Sequence, residues 1–152
     1  MLNSLSKIDA AYIAGIVDGE GCIGIYRTGG HKRKDAARLS LRLTVGSTYK
    51  PLLNWLRSTT GIGGVCVHSS GGERNKPSWE WQARGRQAVE LLFQLVPYVV
   101  IKEKQIHIAC EFANSMGMGG RHELTPRTVV MREKMAQAIH KLNRRGGINA
   151  VR

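Results

Sequence analysis

Acidic side chains are scarce. Eleven Asp and Glu stand against 23 Lys and Arg in 152 residues, a formal net charge of +12, and the isoelectric point is near 10.2. Such an excess repels itself, so a polyanionic partner is expected, nucleic acid foremost, with a ribosome-associated basic protein as the plainer alternative. Charge alone does not separate DNA from RNA. Cysteine is scarce too: Cys22, Cys66 and Cys110 are odd in number and far apart, without a CxxC or a neighbouring His pair. That spacing points to neither a disulfide framework nor a zinc site, and reduced thiols are the expectation. The five histidines lack HExxH spacing. No run approaches the roughly 18 apolar residues of a membrane span, and the N-terminus lacks a basic segment followed by an apolar stretch. The expected setting is intracellular, a cytoplasm or an organelle matrix, without secretion or membrane insertion. There is no internal repeat and no low-complexity linker. The length and the 42% hydrophobic content suit one domain over residues 1–152.

What is present is organised by period. In residues 8–19, IDAAYIAGIVDG, one helical face carries Ile8, Tyr12, Gly15 and Gly19, and nearly the opposite face carries Ala10, Ile13, Ala14 and Val17. Asp9 and Asp18 take the narrow edges. A helix apolar on two sides is expected to lie between its own core and a partner, and two glycines four apart allow close approach.

After Gly21 the period changes to two. Ile23 and Ile25 alternate with Cys22, Gly24, Tyr26 and Thr28 up to a turn at Gly29 and Gly30. Leu39, Leu41, Leu43 and Val45 then alternate with Arg38, Ser40, Arg42 and Thr44, so one face is core and the other basic and polar. HKRKDAAR, with Lys32, Arg33 and Lys34, forms the solvated hairpin tip, which attracts phosphate more readily than it reads bases. KPLLNWLRSTT, 50–60, reads as a helix opened by Pro51 and closed before Gly61. A second hairpin sets Val65 and Val67 against Cys66, His68 and Ser70, then Trp79, Trp81 and Ala83 against Ser78, Glu80, Gln82 and Arg84. Both tryptophans, Tyr12 and Phe93 read as packing residues. Helices follow over 86–96, stopping at Pro97, over 102–115, and over roughly 127–143 before a polar tail. The order is αββαββα with extra C-terminal helices: an α+β fold with one four-stranded antiparallel sheet, helices on one face, the other face open.

Ile13-Ala14-Gly15-Ile16-Val17-Asp18-Gly19-Glu20-Gly21 resembles the LAGLIDADG motif of homing endonucleases. It ends a helix, precedes two basic-faced hairpins, and is joined by PYVVIKEKQ, which resembles a second segment of that family. The resemblance covers about 8–115, with 116–152 left to the family's variable C-terminal helices and tail.

The resemblance implies a metal-dependent endonuclease cutting double-stranded DNA. Glu20 and the carbonyl of Gly19 would bind Mg2+, with Mn2+ as a substitute and Ca2+ bound without cleavage. Lys102 matches the family's active-site basic residue. Where family members often place a water-orienting Gln, Ser47 or Thr48 stands here, and a further basic position falls on Pro51 with Lys50 beside it. One motif copy implies a homodimer through Tyr12, Gly15, Ile16 and Gly19, with the two sheets forming a saddle over a near-palindromic site. The residues expected over the major groove are Tyr26, Thr28, Arg38, Ser40, Arg42 and Thr44 of the first hairpin, and His68, Ser70, Glu80, Gln82 and Arg84 of the second. No small-molecule substrate is implied. A binding-only member, such as an RNA-splicing maturase or a regulator, is the alternative reading.

Overall fold

Ser6 starts the first helix. Its Oγ accepts the Asp9 N–H at 3.1 Å and donates to the Asp9 carboxylate at 2.6 Å, an N-cap whose hydroxyl is oriented by the acid of the first turn. The computed structural model describes residues 1–28, 38–116 and 125–144. Within them run α1 (Lys7–Glu20), β1 (Gly21–Thr28), β2 (Arg38–Ser47), α2 (Lys50–Thr60), β3 (Gly64–Ser69), β4 (Ser78–Arg84), α3 (Gly85–Leu95), a 3₁₀ turn (Val96–Tyr98), α4 (Glu103–Asn114) and α5 (Pro126–Asn143). This is the expected αββαββα order. The strands form one antiparallel sheet in the order β1-β2-β4-β3, open and saddle-shaped.

The core lies between the sheet and the helices. Ala10, Ile13, Ala14 and Val17 of α1 are buried together with Leu41, Leu43, Val45, Trp81 and Ala83 of the central strands. Trp81 satisfies its indole N–H on the Ile62 carbonyl at 3.1 Å, as a buried tryptophan requires. α5 covers the free edge of β1, where Asn143 Nδ2 donates to the Ile23 carbonyl at 2.8 Å. Asn143 thereby blunts an edge that could otherwise pair with another strand. No helix among the described residues is long and apolar enough to cross a membrane.

α5 is tied to α4 by a buried guanidinium. Arg132 donates through Nε to Ser115 Oγ at 2.9 Å and through Nη2 to the Ser115 carbonyl at the end of α4. Its guanidinium carbon lies 5.6 Å from the Phe112 ring centroid, and burial lowers its pKa. Arg132→Met keeps the packing and leaves the Ser115 groups unpaired, so a loss of about 1–3 kcal/mol in urea unfolding is expected.

Several expectations need correction. Tyr12 and Phe93 are 57% and 53% exposed, because both lie on helix faces turned away from the sheet. Val67 is 64% exposed, since β3 is an edge strand whose end overhangs the core. The β3 alternation also breaks there: the register shifts between Val67 and Ser69, which leaves His68 as the extra residue of a bulge. Ser70 falls beyond the strand. The third α-helix ends at Leu95, one residue before the expected bound, and Pro97 sits inside the 3₁₀ turn that follows. Lys32, Arg33, Lys34, the Gly29-Gly30 turn and the tail from 145 lie outside the described residues, as does the Arg38 side chain.

Candidate functional site

The open face of the sheet is arranged in rows across the strands. Register partners place Tyr26 beside Ser40, and Gly24 beside Arg42, which in turn pairs with Arg84. The next row runs Cys22, Thr44, Gln82, Gly64, and the last runs Gly46, Glu80, Cys66. The structure thus brings Tyr26, Ser40, Arg42, Thr44, Glu80, Gln82 and Arg84 onto one surface, with Thr28 at its outer end opposite Arg38.

Several of these side chains engage one another. Arg84 donates Nε and Nη2 to Gln82 Oε1 at 3.3 and 3.0 Å. His68 Nδ1 lies 3.9 Å from Glu80 Oε2, so the bulged residue still faces the same surface as that acid. At this separation, with the His68 side chain solvated, the pair contributes little stability.

Below one end of this surface, α1 runs directly into β1 without a linker. The tight exit depends on Gly21, where an added β carbon would come within 2.5 Å of the Val17 carbonyl oxygen. Gly19, in contrast, is helical and has nothing near its Cα side, so it takes no part in that turn. Glu20 ends the helix exposed, and its carboxylate makes no ion pair among the described residues. Ser47 ends β2 two residues past Val45, the partner of Gly21, and its Oγ accepts the Tyr49 N–H at 3.0 Å. Lys50 Nζ rests 5.8 Å from the Trp79 ring centroid, next to the strand end that pairs with Ser47.

Asp18 holds this corner together. Its carboxylate accepts the N–H groups of Val100 at 2.7 Å and Lys102 at 3.0 Å, and the Lys102 ammonium donates to the Asp18 carbonyl at 2.7 Å. The last carbonyls of a helix have no partner within it and carry about half a negative charge. Lys102 therefore sits against the negative end of α1, two residues from Glu20. Sequence reasoning placed Asp18 on an edge and gave it no role. Its position in the motif was the available signal, but its partners lie more than 80 residues away. Asp18→Asn retains one acceptor and loses the charge. A stability loss of about 2 kcal/mol by urea titration is expected, together with displacement of Lys102.

Among the described residues the outer face of α1 is uncovered. Ile8 is 82% exposed, Tyr12 packs edgewise on Trp55 at 5.2 Å, and no described residue comes within 4 Å of a β carbon built on Gly15 or Gly19. Ile16 is half-buried on the flank, against the core. Val100 and Ile101, also exposed, extend this apolar surface beyond Asp18. Among the described residues no group of three or more His, Cys, Asp or Glu is placed to hold a metal.

No family model matches this sequence, and no curated protein does. Solved structures match in number, 95 chains in all. The homing endonuclease I-CvuI, in complex with the I-CreI target in the presence of magnesium, aligns with a TM-score of 0.74 at 20% identity, over 92% of this chain and 85% of that one. The homing endonuclease I-TnaI aligns with a TM-score of 0.65 at 20% identity, over 98% and 100%. The LAGLIDADG homing endonuclease I-SmaMI, bound to cleaved DNA, aligns with a TM-score of 0.66 at 18% identity, over 88% of this chain but 44% of that one. With its element order and its sheet topology in agreement, the chain has the fold of the LAGLIDADG homing endonucleases.

Proposed function

We propose that the chain, folded as one domain, is a LAGLIDADG homing endonuclease that works as a homodimer and hydrolyses both strands of a specific DNA site with divalent metal. The observation that carries this reading is the bare outer face of α1, which ends at Glu20. Each glycine inside a helix costs roughly 1 kcal/mol relative to alanine, and no described residue fills the space beside Gly15 or Gly19. A second copy of α1 crossing at those glycines accounts for both. The partial match to I-SmaMI, in which one such chain spans less than half of the longer protein, supports the same arrangement.

A two-fold contact along α1 brings the two Glu20 carboxylates together at two helix C-termini. The donors fit a hard divalent cation: a carboxylate oxygen from Glu20 and the carbonyl oxygen of Gly19, with water and phosphate completing the shell. A single chain offers one carboxylate, consistent with the lack of a three-ligand cluster among its described residues. Bound there, Mg2+ would supply activation of the attacking water and stabilisation of the leaving oxygen. Lys102 keeps two further N–H donors once the Asp18 carbonyl has taken one. Those donors can hold a water or a phosphate oxygen beside Glu20. Ser47 holds the neighbouring strand end, and Lys50 supplies a second cation there.

Doubling the sheet gives a long basic saddle, so the site should be nearly palindromic. Arg42 and Arg84 can fork onto guanine, Gln82 onto adenine, and Glu80 can accept from cytosine, while Ser40, Thr44 and Thr28 can bond either donors or acceptors. A binding-only member is the second reading, favoured by Ser47, whose oxygen is already engaged by the Tyr49 N–H.

The test of the DNA partner is selection from a randomised duplex library in Ca2+. Recovery of one near-palindromic site supports the dimeric reader, with affinity falling by about 10³ or more between 50 and 200 mM salt. Recovery of no preferred duplex, with tighter binding to structured RNA, would move the reading to a maturase.

A further inference from the structure

One arrangement on the open face is not explained by strand alternation. Gly24 and Arg42 are register partners, and Tyr26 follows Gly24 on the same face, two residues on. A β carbon built on Gly24 would lie 2.5 Å from Tyr26 Cε2 and 2.6 Å from its hydroxyl oxygen. The ring therefore lies along the strand over Gly24 instead of standing away from the sheet. Its hydroxyl ends 3.9 Å from Cys22 Sγ, turned back along β1. On the ring rests Arg42, its guanidinium carbon 4.9 Å from the centroid. Partial burial, then the Cys22 thiol beside it, raises the Tyr26 pKa, against the opposing pull of Arg42, so the phenol stays neutral.

We infer that Tyr26 is a positioning residue for Arg42: laid flat over Gly24, its ring holds the guanidinium as a pre-formed fork for one guanine-containing base pair per half-site. The inference rests on the reading of this face as the DNA surface, and it assigns Tyr26 no base of its own. An arginine loses much rotamer freedom when it forks onto a base, and stacking removes part of that loss before DNA arrives. A guanidinium held over a ring by its flat face keeps its N–H edge free. No N–H group of Arg42 is engaged by another described residue, whereas Arg84 spends two on Gln82. Arg42 thus has all five N–H donors available among the described residues, and Arg84 has three.

The test compares base preferences at every position of the selected site, from duplex libraries bound in Ca2+, for the wild type and four variants. Arg42→Ala should lose about tenfold or more discrimination at one base pair per half-site. Tyr26→Ala should lose about two- to fivefold at that same base pair, and Tyr26→Phe should lose nothing. Gly24→Ala, which only has to push the ring aside, should weaken the same position with Tyr26 and Arg42 both intact. Thermal unfolding checks that each variant is folded, and if Gly24→Ala is not, the two Tyr26 variants decide. A loss in Tyr26→Ala at a different base pair, a loss in Tyr26→Phe, or no loss in Tyr26→Ala overturns the inference while the DNA reading stands. A wild type that selects no duplex overturns both.

Discussion

Glu20→Gln lowers the rate of DNA cleavage about a thousandfold or more while duplex affinity in Ca2+ stays within about twofold. Glutamine keeps the shape of the side chain and removes the charge that would hold the cation. A metal's stabilisation of transition-state charge is worth several kcal/mol, and each 1.36 kcal/mol is a factor of ten in rate. The fold has little at stake, because Glu20 is exposed and stands at the negative end of α1, where an acid is slightly unfavourable. Thermal stability should therefore hold or rise slightly. Single-turnover cleavage and equilibrium binding measured on the same site separate the two effects. If binding and cutting fell together, Glu20 would be holding the dimer and not a metal.

Gly15→Lys separates fold from assembly. Within one chain no described residue lies within 4 Å of the new β carbon, and lysine is the better helix former, so unfolding in urea should show a gain of up to about 1 kcal/mol. Between two chains the substitution sets two bulky like charges at the crossing point of the helices. The expected product is a stable monomer, seen by sedimentation velocity at 16.8 kDa. Its affinity for the full site should fall by about a hundredfold or more, because a second half-site is no longer held at high effective concentration. A variant that remained dimeric and active would show that the chains meet elsewhere.

The parts of this architecture that rest on local periodicity were legible before the structure. The two-faced pattern of α1, the alternation of β2 and the Pro51-to-Gly61 helix each follow from spacing within a dozen residues, and each element formed as expected. Of the proposed site, the contiguous stretch from Ile13 to Gly21 was visible in the sequence as a motif, and it forms the end of α1 and its exit into β1. What escaped depends on distant partners or on strand pairing. Asp18 binds amides at Val100 and Lys102, which no periodicity relates to it. Tyr26 has the alternation of a residue pointing outward, yet it lies flat because position 24 is glycine and Arg42 is its diagonal neighbour across the ladder. His68 lost its place in the alternation to a bulge, which the bare sequence of an edge strand does not announce. Tyr12 and Phe93 were read as packing because they are large and apolar, but faces turned away from the sheet leave such residues open.

The decisive measurement is incubation of the purified chain with a randomised-site plasmid library, in Mg2+ and in Ca2+, followed by sequencing of linearised ends. Double-strand cuts that require Mg2+ and cluster at one long, near-palindromic site are predicted, with none in Ca2+. Site-selective binding without cutting in Mg2+ would contradict the endonuclease and leave a DNA-binding relative of the fold, with Ser47 the first position to replace by glutamine.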